Sequence, residues 1–314
     1  MPATACSAAS PRAACSTECP GRHAMSELLG RAIDALRELL PLGRWVNEGV
    51  KLLLDHGATV FDSVGVMVEA FAQWIEQGML AIPFWLTIAV VSVIGWRRLG
   101  AGFGMFVLLA LALIVVTGFW PQTMVTLALT LSATLISLFF GIPLGIGCAR
   151  SNRVNACVRP VLDFMQTMPA FVYLIPAAML FGLGRVPGTI ATVIFAMPPV
   201  VRLTSLGIRQ VSTEQVEAGN AFGCTSTQLL FKVQLPIAMP TIMAGVNQTI
   251  MMALSMVIIA SMVGAGGLGN DVLASIQRLD IGLGFESGLA VVLLAIILDR
   301  LTESFGVARR GRDN

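Results

Sequence analysis

The chain has 314 residues, of which 56% are hydrophobic and only 12% are charged, and its mean hydropathy is +0.81. Soluble domains carry about 25% charged residues, so this composition excludes an ordinary soluble protein and predicts an all-α integral membrane protein. A net charge of +2 from scattered basic residues gives no reason to expect a nucleic-acid partner, and six unevenly spaced cysteines do not form a disulfide framework.

The N-terminal region divides into two segments of different character. Residues 1–24 have neither an apolar run nor helical periodicity, so we expect a disordered leader or a mis-assigned start, with Met25 as the true start. Cys15, Cys19 and His23 lack a fourth ligand, so no metal site is predicted there. Residues 25–76 repeat apolar residues at helical spacing beside charged ones, which predicts amphipathic helices near the extracytoplasmic membrane surface.

Long runs without charged residues place the membrane domain at 77–305, ahead of a basic tail at 306–314. About seven transmembrane helices are predicted. They lie at 77–96, at two positions within 99–149 divided around Phe119 and Pro121, at 164–184, at 186–201 running on towards 207, at 239–263 and at 283–303.

Basic residues near the span ends set the expected orientation. The short loops on one side carry only Arg185 and Arg278, whereas the other side carries Arg97, Arg98, Arg150, Arg153, Arg159, Arg209, Lys232, Arg309, Arg310 and Arg312. The richer side is expected to be cytoplasmic. The N-terminus would then lie outside and the C-terminus inside.

A polar segment, residues 212–236, separates the fifth and sixth predicted spans. Capping-box patterns occur twice in it, at Ser212 with Gln215 and at Thr225 with Gln228. They predict two short helices outside the bilayer, with Gly223 placed for a left-handed bend between them. Pro236 and Pro240 are expected to end the second helix before the next span begins.

The same segment carries a longer pattern. Glu217, Ala218 and Gly219 are followed by Gly223, and then by Val233, Leu235 and Pro236. This spacing resembles the EAA loop of ABC-importer permeases, with Gly219 in place of Ala and Val233 in place of Ile. The resemblance implies a cytoplasmic coupling helix that docks into a groove of an ABC ATPase subunit. The alternative is an ordinary helical hairpin in a cytoplasmic loop.

Further stretches extend the resemblance to about residues 41–305: PLGRWVNEGV (41–50), DFMQTMPAFVYLIPAAMLFG (163–182), FKVQLPIAMPTIMAGVNQT (231–249), ALSMVIIASM (253–262) and LAIILDRLTE (294–303). They are similar to the permease subunits of glycine betaine/proline ABC importers. This resemblance implies a type I importer permease fold, osmoprotectant uptake and a place in a bacterial cytoplasmic (inner) membrane. The implied partners are an ATPase, an extracytoplasmic substrate-binding protein, a second permease copy in a homodimer, and membrane lipid.

The residues that contact substrate are less clearly marked. Quaternary ammonium groups favour aromatic faces, so we expect a substrate path that includes Phe164, Phe171, Tyr173 and Phe181. Aromatic residues at such spacing more often serve in packing. Asp163, Arg202 and Asp299 lie at predicted span ends, where they either snorkel to the interface or mark the path. An ABC permease for choline or another amino-acid-like solute would share the coupling loop, whereas a secondary transporter would not need it.

No catalytic site or cofactor is expected in this chain. Gly264, Gly266 and Gly269 match a dinucleotide fingerprint, but no strand precedes them, so we interpret them as a flexible break after the sixth span. Neither Lys51 nor Lys232 follows a glycine, which excludes a Walker A loop. ATP and Mg are therefore expected to bind to the partner ATPase.

Overall fold

The structure, a computed structural model, describes residues 42–307 and contains no β-strand in that range. The expected leader, the first part of the N-terminal helices and residues 308–314 of the basic tail lie outside the described residues. The chain forms two compact units, residues 1–57 and 58–314. Of the first unit, only residues 42–57 of one helix are described.

The helices of the described range follow in chain order: α1 (Leu42–Ala81), α2 (Phe84–Leu99), α3 (Ala101–Val116), α4 (Trp120–Arg150), α5 (Asn152–Thr167), α6 (Ala170–Phe181), α7 (Arg185–Arg209), α8 (Thr213–Ala221), α9 (Ser226–Leu229), α10 (Leu235–Ala260), α11 (Leu268–Arg278) and α12 (Ile281–Val307). A π-helix, Leu230–Gln234, joins α9 to α10, and a 3-10 turn, Ser261–Val263, follows α10. These four segments form one rod, Ser226–Val263, which we call the long rod.

Four helical segments are long and apolar enough to cross a membrane: α4, α7, the long rod and α12. The charge-free runs predicted each of them. Two bent helix pairs raise the number to six if each pair is one span, and α3 is a shorter apolar helix of 16 residues. The seven predicted segments are therefore all present as apolar helices, but not all as straight spans.

The predicted spans at 77–96 and 164–184 are each broken by a sharp bend, which was not expected from the sequence. The axis turns by 93° between α1 and α2 and by 99° between α5 and α6. Each second helix follows a proline, Pro83 or Pro169, in extended conformation with ψ near 138° and 139°. Proline has no N–H for the helical ladder and disfavours helical geometry in the preceding residue.

Small residues let α7 pack closely against α4 at the centre of the bundle. A Cβ atom at Gly141 would lie 2.5 Å from Val200 Cγ1, and one at Gly145 would lie 2.8 Å from the Val201 carbonyl oxygen. Contacts of this kind, from small residues four apart, are a principal source of helix association in membranes. Pro143 remains inside the single helix α4 between these two glycines.

The glycine-rich stretch after the long rod interrupts the helix, as expected, and it also packs tightly against α4. The N–H of Leu268 donates to Thr126 Oγ1 at 2.8 Å, and both residues are fully buried. A Cβ atom at Gly267 would lie 2.4 Å from that hydroxyl oxygen. The left-handed φ angles here belong to Gly264, Gly266 and Gly267. The glycines of the fingerprint-like pattern therefore allow the chain to reverse direction. The helix that follows them, α11, was not predicted from the sequence.

Thr126→Val is expected to destabilise the protein because it removes the acceptor of the buried Leu268 N–H. The cost of such an unpaired group is about 1–3 kcal/mol. Thr130→Val is the matched control, since Thr130 is equally buried and its hydroxyl donates only to the Thr126 carbonyl of its own helix. We expect thermal unfolding in detergent to show a lower midpoint for Thr126→Val alone. Equal midpoints for the two variants would contradict this role.

Candidate functional site

The segment 212–236 forms two short helices that meet at a bend. The second capping box is confirmed: Gln228 N–H donates to Thr225 Oγ1 at 3.4 Å, and Thr225 N–H donates to Gln228 Oε1 at 2.9 Å. The first is wrong, since the Ser212 side chain makes no cap hydrogen bond. Instead the Ser212 carbonyl accepts the N–H groups of Gln215 and Val216, both at 3.2 Å, so backbone hydrogen bonds close the first turn of α8.

Gly223 makes the bend between these helices. Its φ is +77°, which confirms the left-handed conformation expected from the sequence. The Gly223 N–H donates to the Asn220 carbonyl at 2.9 Å, and the next N–H, of Cys224, donates to Gly219 at 3.1 Å. A Cβ atom at Gly223 would meet nothing within 4 Å. The position therefore requires glycine for its backbone conformation and not for lack of space.

The expectation that Pro236 and Pro240 end the second helix is wrong. The long rod runs through both residues without interruption. Just before them lies the π-helix, in which the Leu235 N–H donates to the carbonyl of Leu230, five residues back. A proline ring would clash with the carbonyl four residues earlier in a regular helix, and the wider π-turn relieves that conflict. Leu235 and Pro236 thus lie in the first turn of a membrane-spanning helix.

The α8 helix buries one face and exposes the other. Gly219 is buried, and a Cβ atom there would lie 2.6 Å from Leu229 Cδ1, so this residue allows α8 to approach α9 closely. Glu217, Ala218 and Phe222 are exposed, and Phe222 is 89% exposed at the tip of the loop. Sequence reasoning missed Phe222, although an aromatic residue directly before the bend glycine was the available signal.

A second candidate feature is the break between α5 and α6. The Tyr173 hydroxyl donates to the Met165 carbonyl at 2.5 Å. In a continuous helix that carbonyl would accept the N–H of residue 169, but Pro169 has none. Tyr173 therefore supplies the missing donor and holds the two half-helices at their bend.

The structure does not gather the four candidate aromatic residues into one cage. Phe164 is 63% and Phe171 is 51% exposed on the two sides of the break, whereas Tyr173 is partly buried and packs against the core. Phe181 packs edge-to-face on Phe61, with ring centroids 5.7 Å apart. No two of the four rings contact each other within the described part of the chain. Only Phe164 and Phe171 are therefore placed with free aromatic surface.

Tyr173→Phe is expected to loosen the bend, because it leaves the Met165 carbonyl without a donor at a cost of about 1–3 kcal/mol. Spin labels at the exposed positions Arg153 and Met179, in a background without other cysteines, would report this as a broader distance distribution. Thr167→Val is the control: its hydroxyl donates to the Phe164 carbonyl, which also accepts an N–H. Unchanged distances in Tyr173→Phe would contradict the assignment.

The three charged residues at predicted span ends all have partners. Asp163 pairs with Arg202 at 2.6 Å. Asp299 accepts the side-chain amide of Asn247 at 2.8 Å, and the Thr302 hydroxyl donates to the other end of that amide. This polar group connects α10 to α12 within the membrane domain, so Asp299 has a packing role in addition to its place near a span end.

The fold and these features define the membrane subunit of an importer. Residues 141–307, which contain the loop and the broken span, match the family of binding-protein-dependent transport system inner membrane components, and the chain belongs to this family. The fold is shared with the MetNI methionine ABC transporter solved in inward-facing conformations. The TM-score is 0.54 at 20% identity, and 58% of this chain and 92% of that chain are covered. The expected all-α importer permease fold is thereby confirmed.

Closer relatives are found among curated proteins. The chain is 52% identical over 278 residues to the glycine betaine/proline betaine transport system permease protein ProW of Escherichia coli (strain K12), with 88% of this chain and 78% of that protein covered. It is 50% identical to the glycine betaine/carnitine transport permease protein GbuB of Listeria monocytogenes (85% and 95% covered). It is 47% identical to the glycine betaine transport system permease protein OpuAB of Bacillus subtilis (88% and 98% covered).

Proposed function

We propose that this chain is the transmembrane subunit of an ATP-driven importer for glycine betaine and similar osmoprotectants. The observation that carries the proposal is 52% identity over 278 residues to a glycine betaine/proline betaine permease. Two further relatives near 50% identity are also named for glycine betaine. A choline permease is a weaker candidate, since the relative of that name is 28% identical over 173 residues.

The permease itself is non-catalytic in this proposal, and the exposed loop is its contact with a separate ATPase. Glu217, Ala218 and Phe222 face away from the bundle, while Gly219, Gly223, Leu235 and Pro236 shape and anchor the loop. ATP and Mg bind to the ATPase. Because such ATPases work in pairs and one chain supplies one loop, a homodimer of permeases is the simplest assembly.

In this proposal the translocation path of the permease needs to bind the substrate only weakly. A trimethylammonium group has no hydrogen-bond donors and is recognised by aromatic faces, which an extracytoplasmic binding protein can provide as a tight cage. In the permease, the exposed rings of Phe164 and Phe171, on either side of the break between α5 and α6, offer a shallower aromatic contact for the same group. Broken helices at the midplane are common sites of substrate contact in transporters. A tight site in the permease would slow release.

The proposal is tested by reconstitution of the permease with its ATPase and binding protein in liposomes that contain ATP. Labelled glycine betaine should accumulate only when ATP and the binding protein are both present. Choline and carnitine serve as competitors. Uptake without the binding protein, preference for an anionic solute, or stronger competition by choline than by glycine betaine itself would refute the proposal.

The proposed orientation places the loop in the cytoplasm, the N-terminus outside and the C-terminus inside. Single cysteines at Gln215 and Asn270 test it, because both positions are exposed and they lie at opposite ends of the long rod. Gln215 should react with an impermeant reagent only in permeabilised cells, and Asn270 should react in intact cells. Labelling of Gln215 in intact cells would reverse the orientation and remove the basis for the ATPase contact.

A further inference from the structure

A cleft at the loop end of the bundle contains an unusual concentration of charge. It lies between the last turns of α4 and α7 and the middle of α5, and its volume is about 320 Å³. The residues that matter are Arg159, Asp163, Arg202, Arg209 and the carbonyl group of Cys148. Three guanidinium groups and one carboxylate thus share a single open cavity.

The partners of these groups leave two positive charges without a counter-ion. Arg202 Nη2 pairs with Asp163 Oδ1 at 2.6 Å. Arg209 Nη2 donates to the Cys148 carbonyl at 2.6 Å, which fixes the guanidinium in place but does not neutralise it. Arg159 forms no hydrogen bond or ion pair with any residue between 42 and 307. The cleft therefore has a net charge of +2, and one of its cations is held rigidly.

Guanidinium groups bind carboxylates and phosphates through paired, charge-assisted hydrogen bonds. The acidic residue in the cleft, Asp163, helps to decide whether a carboxylate or a phosphate group binds there. Arg202 pairs with Oδ1 of Asp163, whose side chain is 53% exposed, and the second carboxylate oxygen would oppose a phosphate placed beside it. A zwitterion avoids this conflict, because its cationic end is attracted to a carboxylate and a quaternary ammonium needs no acceptor atom.

We propose that this cleft is a release site for the transported solute, a zwitterion with a quaternary ammonium and a carboxylate group. The carboxylate contacts Arg159 and Arg209, and the ammonium lies towards Asp163. The inference rests on the proposed function and adds a second solute site at the loop end of the path. Arg209 is the last residue of α7, and α8 begins four residues later at Thr213, so an occupied cleft adjoins the segment that contacts the ATPase.

The test measures solute binding without transport. The permease–ATPase complex, free of binding protein, is placed in nanodiscs of phosphatidylcholine, and saturation transfer to the methyl protons of glycine betaine is followed by NMR. Arg159→Gln should weaken binding about tenfold, as loss of a charge-assisted contact predicts. Arg153→Gln is the matched control, because Arg153 is an exposed arginine of the same helix that does not line the cleft. Its binding should equal that of the wild type.

Two probes separate the zwitterion from a simple anion. Asp163→Asn should weaken glycine betaine binding but not the ability of acetate to displace it. Equal binding of glycine betaine by Arg159→Gln and Arg153→Gln would overturn the site. Loss of binding when phosphatidylglycerol is included in the nanodisc would also overturn it, since a lipid headgroup would then be the occupant.

Failure of this inference is distinguishable from failure of the proposed function. Uptake of glycine betaine by the complete complex in liposomes is measured in parallel. Normal uptake together with no Arg159-dependent binding would eliminate the release site alone. Absence of uptake of glycine betaine by a complex that imports another solute would refute the proposed substrate and, with it, this assignment.

Discussion

Phe222→Ala is expected to abolish coupled uptake while the permease still inserts in the membrane. Phe222 is 89% exposed at the tip of the loop, where an aromatic side chain can fill a pocket of the ATPase. Aromatic anchors of this kind are typical hot spots worth 2 kcal/mol or more, which corresponds to roughly 30-fold weaker association. The measurements are the amount of ATPase that co-purifies with the permease and the rate of uptake.

Phe285→Ala provides the comparison for this experiment. Phe285 is 70% exposed, and it lies near the start of α12, at the end of the bundle remote from the loop. The same truncation there should leave the ATPase bound. If the Phe222→Ala permease retained as much ATPase as the wild type, Phe222 would not belong to the docking surface.

Gly223→Val is expected to have an equally large effect for a different reason. At a φ of +77°, a residue with a Cβ atom is strained by about 1–2 kcal/mol, and a β-branched residue by more. The bend between α8 and α9 would shift, and the exposed face of α8 would no longer be presented to the ATPase. Uptake should fall to background while membrane insertion remains normal.

Gly223→Asn separates backbone conformation from side-chain size, because asparagine tolerates the left-handed region. Nothing lies within 4 Å of the added Cβ atom, so the larger side chain meets no obstacle. We expect this variant to keep most of its uptake. Similar loss in the valine and asparagine variants would mean that glycine is needed there for some reason other than its φ angle.

Much of the fold was predictable because segments that cross a lipid bilayer need long apolar sequences without charged residues. A charge-free run of about 20 residues is needed to cross the hydrocarbon core, and α7, the long rod and α12 were all found this way. The loop was also predictable in part. The capping box at Thr225 and the left-handed residue Gly223 depend on local chemistry alone, and both are present in the structure.

The bends were not predictable, because proline has different outcomes in different surroundings. Pro83 and Pro169 each precede a new helix after a sharp turn, whereas Pro143 and Pro240 remain inside continuous helices. Tertiary contacts decide between these outcomes. Close packing around Gly141 and its neighbours holds α4 together. At Pro169 a tyrosine hydroxyl four residues later compensates for the missing N–H.

The candidate path was predicted less well than the loop. Aromatic residues at helical spacing indicate neither which faces remain free nor where the helix breaks. Phe164 and Phe171 kept free surface, whereas Phe181 packs against Phe61 of α1, a helix whose position no local pattern revealed. The same limit applies to Phe222, whose exposure depends on how α8 and α9 pack together.

The long rod gives the protein one continuous helical element of considerable length. Its 38 residues correspond to roughly 57 Å at 1.5 Å per residue, and it runs from the loop to the glycine-rich turn at the opposite end. A tilt imposed at the loop is expected to reach the far turn, because the rod stays one continuous helix through its π-helix and its prolines. The neighbouring chain segment, α5 with α6, has a joint at Pro169. We expect the path to open through motion of this bent segment against the continuous rod.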